Sequence, residues 1–303
     1  MLGVVQDIKT ELQSGNRLSQ IIFINTAVFL YLLLLGMGLR TFGYTEQFNE
    51  VARFFEISTH AYHNLLHPWA AITYQFLHID FWHFVFNMFT LWTFGQVLQV
   101  IFNRHIILPI YLVSGVFGFL VYWLGSYILP GFITNSIAPY ALGASASVMG
   151  VAFAATALAP DYELHIGFLG AFKLKYIAIF FIILDLFNMS TGNNTGGHLA
   201  HLGGAAMGYF FIYQLRQGND WSRFFYRYFN KLKFSRASNL RAVPKPKPDT
   251  FATPHSVTDG DNVSQQVIDK ILDKVKATGY ASLTEREKEY LFKVSKTADR
   301  AKK

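Results

Sequence analysis

The sequence predicts an all-α membrane protein: a bundle of six transmembrane helices followed by a small cytoplasmic α-helical tail. Three observations predict it. Apolar residues make up 52% of the chain and charged residues 15%, where a soluble globular chain carries about 25% charged. Charge is also unevenly split: residues 1–216 hold 8 Lys/Arg and 9 Asp/Glu, a net of −1, and residues 217–303 hold 18 and 10, a net of +8. Six apolar stretches approach the ~20 residues that a spanning helix needs. Such a composition excludes a disordered chain, a fibrous protein and a nucleic-acid reader along the whole length. No cysteine is present, so disulfides, thiol catalysis and Cys-based metal sites are excluded.

The predicted spans are 20–39, 81–102, 106–126, 143–160, 174–190 and 196–215. The first is too long for a cleavable signal peptide, and no small-x-small cleavage site follows Gly38. Orientation follows from Lys and Arg in the short loops. One side carries Lys9, Arg17, Arg104, Lys173, Lys175 and Arg216; the other carries Arg40 and Arg53 and two loops, 127–142 and 191–195, without Lys or Arg. Both termini are therefore expected in the cytoplasm. The chain divides into a cytoplasmic N-terminal segment (1–19), the six-span domain (20–216), a basic juxtamembrane segment with a Pro/Lys linker (217–262) and a small helical module (263–303). The first outer loop, 40–78, is rich in aromatics and His and reads as an interfacial amphipathic segment.

The juxtamembrane segment mixes Trp221, Phe224 and Phe225 with Arg223, Arg227 and Lys231, a pattern that fits either an anionic lipid surface or a solvated extension of the last span. Pro244–Pro248 alternates Pro and Lys and reads as an extended linker. Val267, Ile268, Ile271, Leu272 and Val275 then fall at helical spacing. Thr284 with Glu287 makes a capping box for a second helix carrying Tyr290 and Leu291. Two short helices bury too little surface to be very stable alone, so the module reads as a docking element for a cytoplasmic partner.

Polar groups inside a bilayer are costly and point to function. His83 lies near the outer end of the second span, and Asn87 follows it four residues on, on the same face. Ser145 opens the fourth span, and His201 lies just inside the sixth. All three spans run inward, so these residues share one depth. His201, Gly204 and Gly208 fall within about 60° of one another on their helix, and Gly204-x-x-x-Gly208 is a small-residue pattern for close helix packing. Close contact between the fourth and sixth spans would bring His201 to the Ser145 hydroxyl. A Ser beside a His base is an activated nucleophile; His83, Asn87 and backbone N–H groups at the start of the fourth span would stabilise an oxyanion. No acidic residue is expected at the depth of His201, so the reading is a dyad.

These residues carry a resemblance. His78-x4-His83-x3-Asn87, Gly143-x-Ser145 and Ala200-His201-x2-Gly204-x3-Gly208, with Trp69 in the first loop, resemble the motifs of rhomboid intramembrane serine proteases over residues 20–215. The stretch 264–293 resembles a C-terminal extension of some bacterial members. The resemblance implies Ser145 as nucleophile, His201 as base, His83 and Asn87 as oxyanion donors, single-span membrane proteins as substrates, and no metal or cofactor. It also implies a bacterial inner membrane. Three positions depart from the family pattern: Ala146 replaces a Gly after the serine, Met149 an aromatic, and Ala70 an Arg after Trp69.

Other polar residues have duller readings. Ser147 is about 200° round the helix from Ser145 and reads as packing. His78 reads as structural, tying the loop to the second span. His198 reads as a first-turn histidine, Asp185 as a polar contact or a residue near the outer end of a short span, and Asn25 and Ser114 as packing. The four histidines near one surface lack metal-site spacing. Two alternatives to a protease stand: a catalytically inactive relative that binds membrane helices as an adaptor, and a small transporter, which fits six spans but not the Ser/His constellation.

Overall fold

The computed structural model describes residues 16–102, 105–129, 139–165, 170–192 and 194–231 and, near the C-terminus, 271, 273–275 and 283–290. The N-terminal segment 1–15, Arg104, most of the loop 127–142, the Pro/Lys linker, and Val267, Ile268, Leu272 and Leu291 lie outside the described residues.

Each predicted span is a helix with ends shifted by a few residues. They are α1 (Arg17–Thr41), α5 (Phe81–Ile101), α6 (Ile107–Ile128), α7 (Ser145–Leu158), α8 (Leu174–Ser190) and α9 (Thr195–Arg216). Among the described helices, α1, α5 and α6 are long and apolar enough to cross a membrane. The 14 residues of α7 rise about 21 Å at 1.5 Å each, short of the ~30 Å hydrocarbon layer. Its surroundings explain this. α7 packs on α5, α6 and α9 and buries nine of its residues, so it faces protein rather than lipid. Its C-terminal carbonyls at Ala157 and Leu158 accept from the Arg216 guanidinium at 2.7 and 3.3 Å, which satisfies groups the helix end leaves open.

The first loop is built of short elements, the first of them a helix. α2 (Thr45–Arg53) buries Phe48 and Ala52. The Phe48 ring packs where Gly36 of α1 has no side chain: a Cβ there would come 3.0 Å from the ring. Arg40 lies over the same ring at 4.6 Å. Next come β1 (Ile57–Ser58), the short helices α3 (Ala61–Leu66) and α4 (Ala70–Thr73), and a 3-10 turn at Tyr74–Phe76. β1 pairs antiparallel with β2 (Tyr140–Ala141) in the register Ile57↔Ala141 and Ser58↔Tyr140, tying the loop to the residues just before α7.

A second pair, β3 (Glu163–His165) with β4 (Ala171–Lys173), has no counterpart in the sequence reading. Beside it Asp161 binds Lys175 at 2.7 Å and Lys173 at 3.5 Å, so the two lysines taken as topology markers are also ion-paired. α10 (Ser222–Lys231) follows α9. Trp221, just before it, packs edge-on against Phe210 and Phe211, while Phe224 is exposed.

The C-terminal stretch is a separate compact unit, 235–303. Within it residues 285–290 are helical, and the predicted capping box forms: the Thr284 N–H donates to Glu287 at 2.7 Å and the Glu287 N–H to Thr284 Oγ1 at 3.4 Å. Lys274, then the Thr284 donors, hold the Glu287 carboxyl down at about 2.

Candidate active site

The frame of the site is a seam without side chains. A Cβ at Gly204 would collide with the carbonyl oxygen of Ala146, and one at Gly208 with that of Gly150. α9 therefore lies backbone-to-backbone on α7, as the Gly-x-x-x-Gly pattern implies. α6 closes the third side: at Gly118 a Cβ would come 2.6 Å from the Ala146 Cβ and 2.7 Å from the Ala200 carbonyl oxygen.

The approach to Ser145 is held by hydrogen bonds from the segment before α5. The Gly143 N–H donates to the Tyr74 carbonyl at 2.9 Å. Gly143 has φ +127, and a Cβ there would come 2.7 Å from His83 Cε1, so glycine meets both the backbone and the steric demand. The Ala144 N–H donates to His78 Nε2 at 3.4 Å. Burial pushes the His78 imidazole down to about 3, with His83 adding to it, so His78 stays a neutral acceptor. It ties the loop to α7 as well as to α5. Ser147 donates to Gln75 Oε1 at 3.0 Å, and Gln75 in turn donates to the Ala71 carbonyl at 2.8 Å. Tyr111 donates to the Gln75 carbonyl at 2.6 Å and receives from Asn25 at 3.2 Å. The residues read as packing, Ser147 and Asn25, are thus hydrogen-bonded parts of this strap.

Ser145 is the first residue of α7, so its N–H and those of Ala146 and Ser147 lack intrahelical partners. Ser145, His201, His83 and Asn87 line one cleft of ≈ 270 Å³ together with Met149, Asp185 and His198. Ser145, His201 and His83 also line a second cleft of ≈ 400 Å³ with Tyr140, Ala141 and Asn194. The sequence-predicted residues therefore meet, and three of them line both clefts. Asn87 gives one amide N–H to the His83 carbonyl at 2.8 Å, which leaves its second N–H for a ligand. Asp80 caps α5 by accepting from the His83 N–H at 2.7 Å.

The expected absence of an acid is corrected here. Asp185 Oδ1 lies 2.9 Å from His201 Nδ1 and 2.6 Å from His198 Nδ1. α8 and α9 are joined by the short connection 191–194, so residues about equally far from it lie at one level: Asp185 is five before Ser190 and His201 six after Thr195. That symmetry was readable in the sequence. A carboxylate only accepts, so both Nδ1 atoms carry hydrogen and His201 Nε2 is left as the basic nitrogen. His198 is in the first turn of α9, as expected, and shares this carboxylate.

The departures from the family pattern also find places. Ala146 and Ala70 sit in one small core with Ile57, Tyr74, Tyr122 and Ala200. The Ala146 methyl fits against Gly118 of α6, so it fills a helix contact. Met149 lines the cleft with His201.

A rhomboid domain model matches residues 66–218, which contain every candidate site residue, and a family of unknown function (DUF6576) matches 262–297. The chain is 33% identical over 140 residues to a zebrafish (Danio rerio) presenilin-associated rhomboid-like protein A, mitochondrial; the match covers 46% of this chain and 35% of that protein. It is 32% identical over 143 residues to the human presenilin-associated rhomboid-like protein, mitochondrial (45% and 35%). To RHOMBOID-like protein 12, mitochondrial, of Arabidopsis thaliana it is 28% identical over 155 residues (48% and 46%). The chain thus matches less than half the length of each of these relatives. All three are mitochondrial proteins, which gives no support to the expected bacterial inner membrane. With the model covering half of the sequence and all of the site, this chain belongs to the rhomboid family.

Proposed function

We propose that this membrane protein is an intramembrane serine endopeptidase that cleaves transmembrane-helix substrates near the outer membrane surface. Ser145 attacks the scissile carbonyl, and its proton passes to His201 Nε2. His201 then gives that proton to the leaving amine, and water releases the acyl group. The Ser145 N–H, His83 and the free Asn87 N–H stabilise the oxyanion. Asp185 fixes the His201 tautomer, so the proposed unit is a Ser-His pair with an orienting carboxylate. The observation that carries the reading is the shared cleft: Ser145 and His201 line it together while Asp185 holds Nδ1. The orientation in the bilayer, with both termini cytoplasmic, follows from loop charges and places the site at the outer end.

Purified protein incubated with a panel of single-span membrane proteins, beside a Ser145→Ala control, tests it. Cleavage that Ser145→Ala removes supports the protease. No cleavage by folded wild type across the panel would overturn it in favour of an inactive helix-binding adaptor.

A further inference from the structure

The Asp185 carboxylate is used lopsidedly. One oxygen, Oδ1, serves both His198 and His201, while Oδ2 is buried and has no hydrogen-bond partner among the described residues. The three side chains come from α8 and the start of α9, are 7–19% exposed, and border the cleft that holds Ser145. One ligand atom from each lies within 4.8 Å of the others. Two imidazoles and a carboxylate suit zinc-class divalent metals, which bind at ~2.0–2.2 Å and leave a fourth position to water. Tetrahedral ligands at that bond length stand about 3.3 Å apart, so to admit a metal the 2.6 and 2.9 Å contacts must open by a few tenths of an ångström and the third pair, within 4.8 Å, must come to the same spacing.

We propose that Asp185, His198 and His201 form an inhibitory site for a zinc-class divalent cation. The mechanism is a tautomer exchange and rests on the reading of His201 as the base. A metal on His201 Nδ1 displaces the hydrogen that Asp185 holds there, and the neutral imidazole keeps its one N–H by carrying it on Nε2. Nε2 is then a donor, and the Ser145 proton has no acceptor. The Nδ1–H bond is exchanged for an Nε2–H bond through solvent, so no net proton is released. His198 touches no reacting atom in this scheme; it supplies the ligand that makes the site a chelate.

Zinc binding to the full-length purified protein is measured by competition with a chromophoric chelator, and substrate cleavage is titrated with zinc in parallel. Wild type and Ser145→Ala should each take up one zinc, with X-ray absorption reporting nitrogen and oxygen ligands at about 2.0–2.2 Å. His198→Gln should weaken binding tenfold or more and shift the zinc inhibition curve by the same factor. Asp185→Asn should weaken binding likewise, and His165→Ala, which removes an exposed histidine of β3, should not. Equal zinc affinity in wild type, His198→Gln and Asp185→Asn would overturn the site, as would active enzyme indifferent to bound zinc. Because binding is read on Ser145→Ala, failure of the protease reading leaves a zinc site without inhibition, and failure of this inference leaves a protease without a zinc site.

Discussion

Two regions fix the position of Ser145, and they work by opposite means. The α7–α9 seam uses the absence of side chains: Gly204 and Gly208 let two backbones touch, and the spacing is set by hard contact. The segment from Glu56 to His78 uses specific polar partners: Tyr74 and His78 take the Gly143 and Ala144 N–H groups, and Gln75 takes Ser147. In lipid, helices gain little from apolar contact alone, so close packing sets distance while hydrogen bonds set register. The two regions should therefore fail differently when changed.

The seam should fail completely. Gly204→Val drives side-chain atoms into the Ala146 carbonyl, which cannot move without moving the helix that carries Ser145. Overpacking costs about 1–3 kcal/mol where neighbours are side chains, and more against rigid backbone. We expect a collapsed melting temperature in detergent and no cleavage; a wild-type melt would show that the seam is not in contact.

Where the seam ends at His201, orientation passes to a polar contact, and the effect should fall on rate rather than fold. Asp185→Asn keeps the volume but offers Nδ1 a weaker partner that tolerates the wrong tautomer. Cleavage should slow by roughly 10²–10⁴-fold with little change in melting temperature. Unchanged turnover would remove Asp185 from the proposed site.

The polar strap should weaken in steps. Gln75→Leu leaves the Ser147 hydroxyl buried without its acceptor and removes the amide's bond to Ala71. A stability loss of about 2–3 kcal/mol is expected, with cleavage reduced but measurable. If it abolished folding as Gly204→Val does, the distinction between the regions would fail.

The smallest effect lies at the strap's start. Glu56 is buried between α2 and β1, and burial pushes its carboxyl up to about 7 against the pull of Arg53. The folded chain then holds a proton that the unfolded chain loses near 4.5, so stability falls as pH rises from about 4.5 to 7 and stays lower above. Glu56→Gln should remove that fall: a gain in stability at pH 8 and none near pH 4, with little effect on cleavage, read by denaturation and turnover at both.

The seam was legible in the sequence and most of the strap was not. Gly204 and Gly208 announce themselves by spacing, and apolar length marks the helices. Ser145, His201, His83 and Asn87 stood out because polar groups in apolar helices are rare. The strap depends on pairs far apart in the chain, such as Ser147 with Gln75 and Ile57 with Ala141. Two-residue ladders and single side-chain bonds leave no periodic trace. Asp185 was legible as a polar contact or a residue near the outer end of a short span, but nothing in the spacing of one span links it to His201 on the next. Ala146 was legible only as a departure from the family pattern beside Ser145; the position of Gly118 on another helix shows where its methyl packs.

Under the proposed function Ser145, and not Ser147, is the hydroxyl that His201 activates. Reaction with a fluorophosphonate probe, mapped by peptide mass spectrometry in wild type, Ser145→Ala, Ser147→Ala and His201→Ala, tests it most directly. A single adduct is expected on Ser145, lost in Ser145→Ala, kept in Ser147→Ala and strongly reduced in His201→Ala. An adduct on Ser147, or labelling of Ser145 indifferent to His201, would contradict it.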